Sequence, residues 1–144
     1  MSPPFADEPI LLTEAEQAGL QAWVDAVQPR LALSHWRITI SRHQAKDDAY
    51  ASSFIRNHAD ISVIALSREC RSWTAEELRQ NLTHELLHPH FQRVTAMAAH
   101  LIETELGKRT EAVIEAAVRE VEEQSIDRLA TAIARFLPLP EALA

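Results

Sequence analysis

The chain has 144 residues, 47% hydrophobic and 24% charged, which suits one domain with a buried core and argues against a disordered chain. Twenty-one acidic against 14 basic residues leave a net charge of -7, which argues against a general nucleic-acid binder. Two glycines cannot build a glycine-rich phosphate loop, one cysteine (Cys70) forms neither an internal disulfide nor a cysteine-rich zinc finger, and no apolar run approaches a membrane span.

Residues 1–10 carry three prolines and no periodicity, and read as a loose arm. They have neither the basic flank nor the apolar stretch of a secretory signal, so the expected location is the cytoplasm. Thr13 and Glu16 form a capping box, and Ala15, Leu20, Trp23, Val24 and Val27 recur at helical spacing, which predicts a helix over 13–28. From 33 to 41 the pattern changes to period two, with Trp36, Ile38 and Ile40 alternating with polar residues, as in a half-buried strand. A polar turn over 43–48, a second strand over 49–56, a turn at Arg56-Asn57-His58 and a third strand over 59–66, in which Ile61, Val63 and Ala65 alternate with Asp60, Ser62 and Ile64, complete an expected three-stranded antiparallel meander.

After residue 70 the chain reads as helical. Thr74 and Glu77 form a second capping box ahead of Leu78, Leu82 and Leu86. Pro89 disfavours helical geometry in the residue before it, so this helix is expected to end or bend near His88. A further helix is expected over 91–106, stopping at Gly107, and a last one over 110–136 with Ile114, Val118, Val121, Leu129, Ile133 and Phe136 as its apolar side. The expected fold class is therefore α+β: an N-terminal arm over 1–12, one domain over 13–137 and a tail over 138–144.

The chemistry concentrates at 84–88, His-Glu-Leu-Leu-His. Residues four apart share a helix face, so His84 and His88 can bind one metal ion, with Glu85 beside it as a base for a water. The bland alternative is a surface helix with two solvated histidines; the capping box and leucine spacing, read independently of the motif, supply the helix the motif needs. A catalytic zinc site has three protein ligands and an open position. Phe91 and Val94 stand where a metzincin carries its glycine and third histidine, which excludes that class. On the last helix, Glu123 and Asp127 are four apart and face the same way, a spacing also common on solvated helix faces.

Here the chain resembles the gluzincin group of HExxH metallopeptidases, and more broadly the small zincin-type metallopeptidases of prokaryotes and phages. The resemblance spans about 33–136 and implies a minimal zincin-like domain binding Zn²⁺ through His84, His88 and Glu123, with Asp127 hydrogen-bonded to His84. It also implies Glu85 as the catalytic base and a peptide or protein as substrate. Two departures accompany it: the spacing from His88 to Glu123 is long, and Pro89 directly follows the second histidine. Glu122 is a rival third ligand one residue out of phase, with Glu120, Glu115 and His100 behind it. Strand 59–66 is a candidate edge for pairing with an extended peptide.

The remaining residues read more plainly. His90 points elsewhere on a continuing helix, and His35, His43 and His58 read as solvated. One of those three, or Tyr50, is an open choice for an oxyanion donor. Trp23, Trp36 and Trp73 read as core and Cys70 as inert. Three functions stay open: a zinc peptidase, a catalytically inactive zincin-fold binding or regulatory protein, and a metal-free helical domain. Nucleic acid and membrane are not expected partners.

Overall fold

The computed structural model describes residues 2–46 and 49–144, so the end of the expected 43–48 turn lies outside the described residues. Three helices and one three-stranded sheet make up the α+β domain: α1 (Glu14–Val27), β1 (Arg37–Ile40), β2 (Ala51–Arg56), β3 (Ile61–Leu66), α2 (Ala75–Leu106) and α3 (Lys108–Ala134). Both expected capping boxes form. Thr13 Oγ1 accepts from the Glu16 amide at 3.1 Å while Glu16 Oε2 accepts from the Thr13 amide at 2.8 Å. Thr74 and Glu77 repeat the pattern at the same distances.

The sheet corrects the expected meander. Its order is β1-β3-β2, with β1 parallel to β3 and β2 antiparallel to β3. The segment after β1 crosses the end of β3, where the amides of Ser41 and Ala45 donate to the carbonyls of Ile64 and Leu66, both at 2.8 Å. The chain then enters β2 on the far side and returns through a 3₁₀ turn, Asn57–Ala59, with Asp60 left-handed at φ 49°. Strand 59–66 is therefore the centre of the sheet and not an edge. Its consecutive buried residues Ile64, Ala65 and Leu66 fit that place, since a central strand covered on both faces loses the alternation of a half-buried one.

Of the two edges, β1 is closed by side chains of α1. Gln21 accepts from the Ile40 amide and donates to the Ile38 carbonyl, both at 2.8 Å, and Gln17 donates to the Ile40 carbonyl at 3.1 Å. The other edge strand is β2. The main core lies between α1, the sheet and the first half of α2, and includes Val24, Val27, Leu33, Ile38, Ile64, Leu78, Leu82 and Leu86. Trp23 and Trp36 are in it and Trp73 packs against it, as expected.

The helices bring two further corrections. The helix beginning at Thr74 does not end at His88: α2 runs through Pro89 as one element of 32 residues, so two expected helices are one. An internal proline costs a helix about 3 kcal/mol. Packing on both sides of it offsets that, because Pro89 is itself buried, Leu86 and Leu87 fill cores, and His90 Nε2 donates to the Leu31 carbonyl at 2.7 Å. Gly107, at φ 86°, turns the chain straight into α3. The buried stripe of α3 is Ile126, Ala130 and Ala134, whereas Val121, Leu129 and Phe136 of the expected apolar side are exposed.

The flanks expected as arm and tail join the packing. Leu12 and Leu143 belong to the core, Ile10 bridges His43, and the Trp23 indole donates to the Pro138 carbonyl. Arg71 gathers these ends, donating to the carbonyls of Leu11 and Ala144 and to both carboxylate oxygens of Glu16. Among the described residues, no helix is long and apolar enough to cross a membrane.

Candidate metal centre

A small second core of Leu87, Ile126 and Ala130, with Phe91 and Ile133 against it, presses α2 onto α3. It fixes the helical phase of both. On α2 it leaves His84, Glu85 and His88 facing β2 and α3, and on α3 it leaves Glu122, Glu123 and Asp127 facing α2. Ligand atoms of His84, Glu85 and His88 lie within 4.8 Å of one another, and the two imidazole centroids are 5.0 Å apart.

Glu123 reaches this cluster from the other helix. Its Oε2 is 3.0 Å from His84 Nε2 and its Oε1 is 3.3 Å from His88 Nε2. Asp127 Oδ1 lies 2.7 Å from His84 Nδ1. Glu122 turns to the opposite nitrogen of the second ring, with Oε1 3.8 Å from His88 Nδ1. Glu85 is 7% exposed, with Oε2 4.0 Å from His88 Nε2, and accepts a hydrogen bond from Ser53 Oγ on β2. Burial pushes the Glu85 carboxyl above its usual range, against the opposing pull of His88 and the Ser53 hydroxyl.

The hydrogen-bond inventory says what this arrangement needs. A neutral imidazole has one N–H and one lone pair. If the His84 Nδ1–H goes to Asp127, the Nε2 lone pair faces a Glu123 oxygen, acceptor against acceptor. His88 Nε2 meets the same carboxylate. A cation shared by the two Nε2 atoms and the Glu123 carboxylate removes that conflict. Two imidazole nitrogens and one carboxylate, with further carboxylates at the outer nitrogens, are a donor set suited to zinc, so the residues present fit the ion that the motif implies.

The site opens onto a cleft of 960 Å³ between β2, α2 and α3. Its walls include Tyr50, Ser52 and Ser53 on the sheet side and Glu103, Glu111 and Glu115 toward the far end of the hairpin. His100 lines the same cleft but stands twelve residues beyond His88, roughly 18 Å along one helix, out of reach as a third ligand. Glu115 is paired with Arg119 and Glu120 accepts from Gln124, so neither rival joins the imidazoles. Of the candidate oxyanion donors, Tyr50 lines the cleft, whereas His43 is engaged with the Glu8 carbonyl. Cys70 is fully buried, and its thiol is pushed up to about 11 by that burial.

Sequence reasoning missed Ser53 and Thr95, the second of which donates to Glu122 Oε2 at 3.1 Å. Neither lies in a motif; each acquires its place only when β2 and α3 dock on α2. Comparison with protein-family models, curated proteins and solved structures finds no match to this chain.

Proposed function

We propose that this chain is a zinc-dependent peptidase built on a minimal zincin-like domain. His84, His88 and Glu123 hold the ion, Asp127 orients His84, and Glu85 is the general base. The observation that supports this most is the Glu123 carboxylate touching both Nε2 atoms while a buried carboxyl, Glu85, stands beside them at the mouth of a cleft.

Zinc, when bound, supplies Lewis acidity, bringing the pKa of a water to about 7 and polarising a carbonyl. Glu85 takes a proton from the attacking water, whose oxygen bonds to the peptide carbonyl carbon. As the C–N bond breaks, Glu85 returns the proton to the leaving amine, giving a carboxylic acid and an amine. Ser53 donates to Oε2 of the Glu85 carboxyl, the oxygen 4.0 Å from His88 Nε2, and so fixes its orientation beside the imidazoles. An extended peptide runs along the edge strand β2, whose Ser52 and Ser53 line the cleft beside Glu85.

The test is hydrolysis of an unstructured protein and a mixed peptide library by untagged, zinc-loaded protein. Cleavage that stops with a chelator and returns with zinc supports the proposal. Stoichiometric zinc with no cleavage of either substrate points instead to a zincin-fold binding protein.

A further inference from the structure

We infer that Glu122 is the positioning residue of His88, holding the second imidazole toward the metal as Asp127 holds the first. This rests on the metal reading above. Glu122 and Glu123 are neighbours in sequence, about 100° apart around α3. That difference in phase sends them to different nitrogens: Glu123 to Nε2 of both rings, Glu122 to Nδ1 of His88. Glu122 is thereby excluded as the third ligand.

Its burial is the telling feature. The Glu122 side chain is 9% exposed, against 46% for Glu123. A carboxylate taken so far out of water is unfavourable unless both oxygens are engaged. Oε2 accepts from Thr95 Oγ1 at 3.1 Å. Oε1 is buried with no hydrogen-bond partner and lies 3.8 Å from His88 Nδ1. With Nε2 turned to the metal, His88 carries its proton on Nδ1, and roughly 1 Å of movement converts the 3.8 Å approach into a hydrogen bond. The orphaned oxygen then has its donor, and the ring is fixed in tautomer and orientation. Thr95, on the same helix as His88 and seven residues on, pins the other oxygen so that the carboxylate cannot rotate away. α3 therefore supplies three carboxylates to one centre: one ligand and a separate orienting partner for each histidine.

Zinc affinity measured by competition with a chromophoric chelator, together with the visible spectrum of the Co²⁺-substituted full chain, tests this. Glu122→Ala is expected to weaken zinc binding by about 10–100-fold and to shift the cobalt bands. Glu122→Gln, which keeps an acceptor, recovers part of the loss, and Thr95→Val weakens binding less but in the same direction. If wild type binds zinc while Glu122→Ala, Glu122→Gln and Thr95→Val stay within twofold of it with unchanged cobalt spectra, the inference falls and the metal centre stands. A variant that merely unfolds more easily without its metal, with affinity and cobalt bands intact, counts against the inference in the same way. Should Glu122→Ala fail to fold, the other two variants decide. A wild-type chain that binds no zinc overturns the inference and the metal reading together.

Discussion

Replacing Glu85 by glutamine separates catalysis from metal binding and from folding. The side chain is 7% exposed, and its recorded hydrogen bond is accepted from Ser53 Oγ, which a glutamine carbonyl accepts as well. The substitution keeps the volume and the Ser53 contact, and removes a buried charge whose desolvation already raises its pKa. Stability without metal should therefore hold or rise, and zinc affinity should stay within a few-fold, since Glu85 is not among the three proposed ligands. Catalysis should fall by about 10²–10⁴, the usual contribution of a positioned general base, equivalent to about 3–5 kcal/mol in the barrier. The assay is kcat/KM on the best-cleaved peptide at matched zinc occupancy, alongside thermal unfolding of both proteins. Glu85→Gln retaining more than a tenth of wild-type activity at full occupancy would refute the role of Glu85. A drop in activity that merely tracks lost zinc would refute the separation.

Three further outcomes follow from other parts of the structure. Gln21→Ala strips the β1 edge of the groups satisfying the Ile40 amide and Ile38 carbonyl, and should cost about 1–3 kcal/mol in urea unfolding; a loss below about 0.5 kcal/mol would mean that water serves that edge equally well. Arg71 and the capping hydrogen bond from Thr13 lower the Glu16 carboxyl from 4.5 to about 2. A folded pKa below the unfolded one means that the stabilisation is full above about pH 4.5 and is lost as pH falls toward 2, by about 1–2 kcal/mol after screening of a partly exposed pair. Glu16→Gln should flatten that slope in acid unfolding, and an unchanged slope would show the pair to be inert. Leu87→Ala opens the small core that joins α2 to α3 and should destabilise by about 2–5 kcal/mol while weakening zinc binding; stability lost at unchanged zinc affinity would show that this core does not set the site.

What was legible in the sequence was local. Both capping boxes, the stop at Gly107, the tryptophans of the core and the shared face of His84 and His88 depend on neighbours within one or two turns, and the structure has each where the pattern puts it. Strand order is not local. The alternation in 33–41 marks β1 as half-buried, yet nothing in it says whether β2 or β3 lies beside it. The signal available was the unbroken apolar run Val63-Ile64-Ala65-Leu66, which fits a central strand better than an edge. Pro89 shows the same limit from the other side: its penalty is intrinsic, but the packing of Leu86 and Leu87 and the His90 contact that outweigh it come from distant segments.

The candidate site divides along the same line. His84, Glu85 and His88 are one motif on one helix. The choice between Glu122 and Glu123 turns on the rotation of α3, which Ile126, Ala130 and Ala134 set. Of the apolar side expected for that helix, Ile133 packs against both cores, whereas Val121, Leu129 and Phe136 are exposed and Ile126, Ala130 and Ala134 are buried instead. Ile126 and Ala130 pack on Leu87, and that contact carries Glu123 and Asp127 to the imidazoles.

Zinc titration by calorimetry of the untagged chain, beside a His84→Ala/His88→Ala double variant, addresses the metal centre most directly. One zinc ion per wild-type chain and none in the double variant is the expected result. A wild-type chain that takes up no zinc, or a double variant that binds as tightly as wild type, contradicts it.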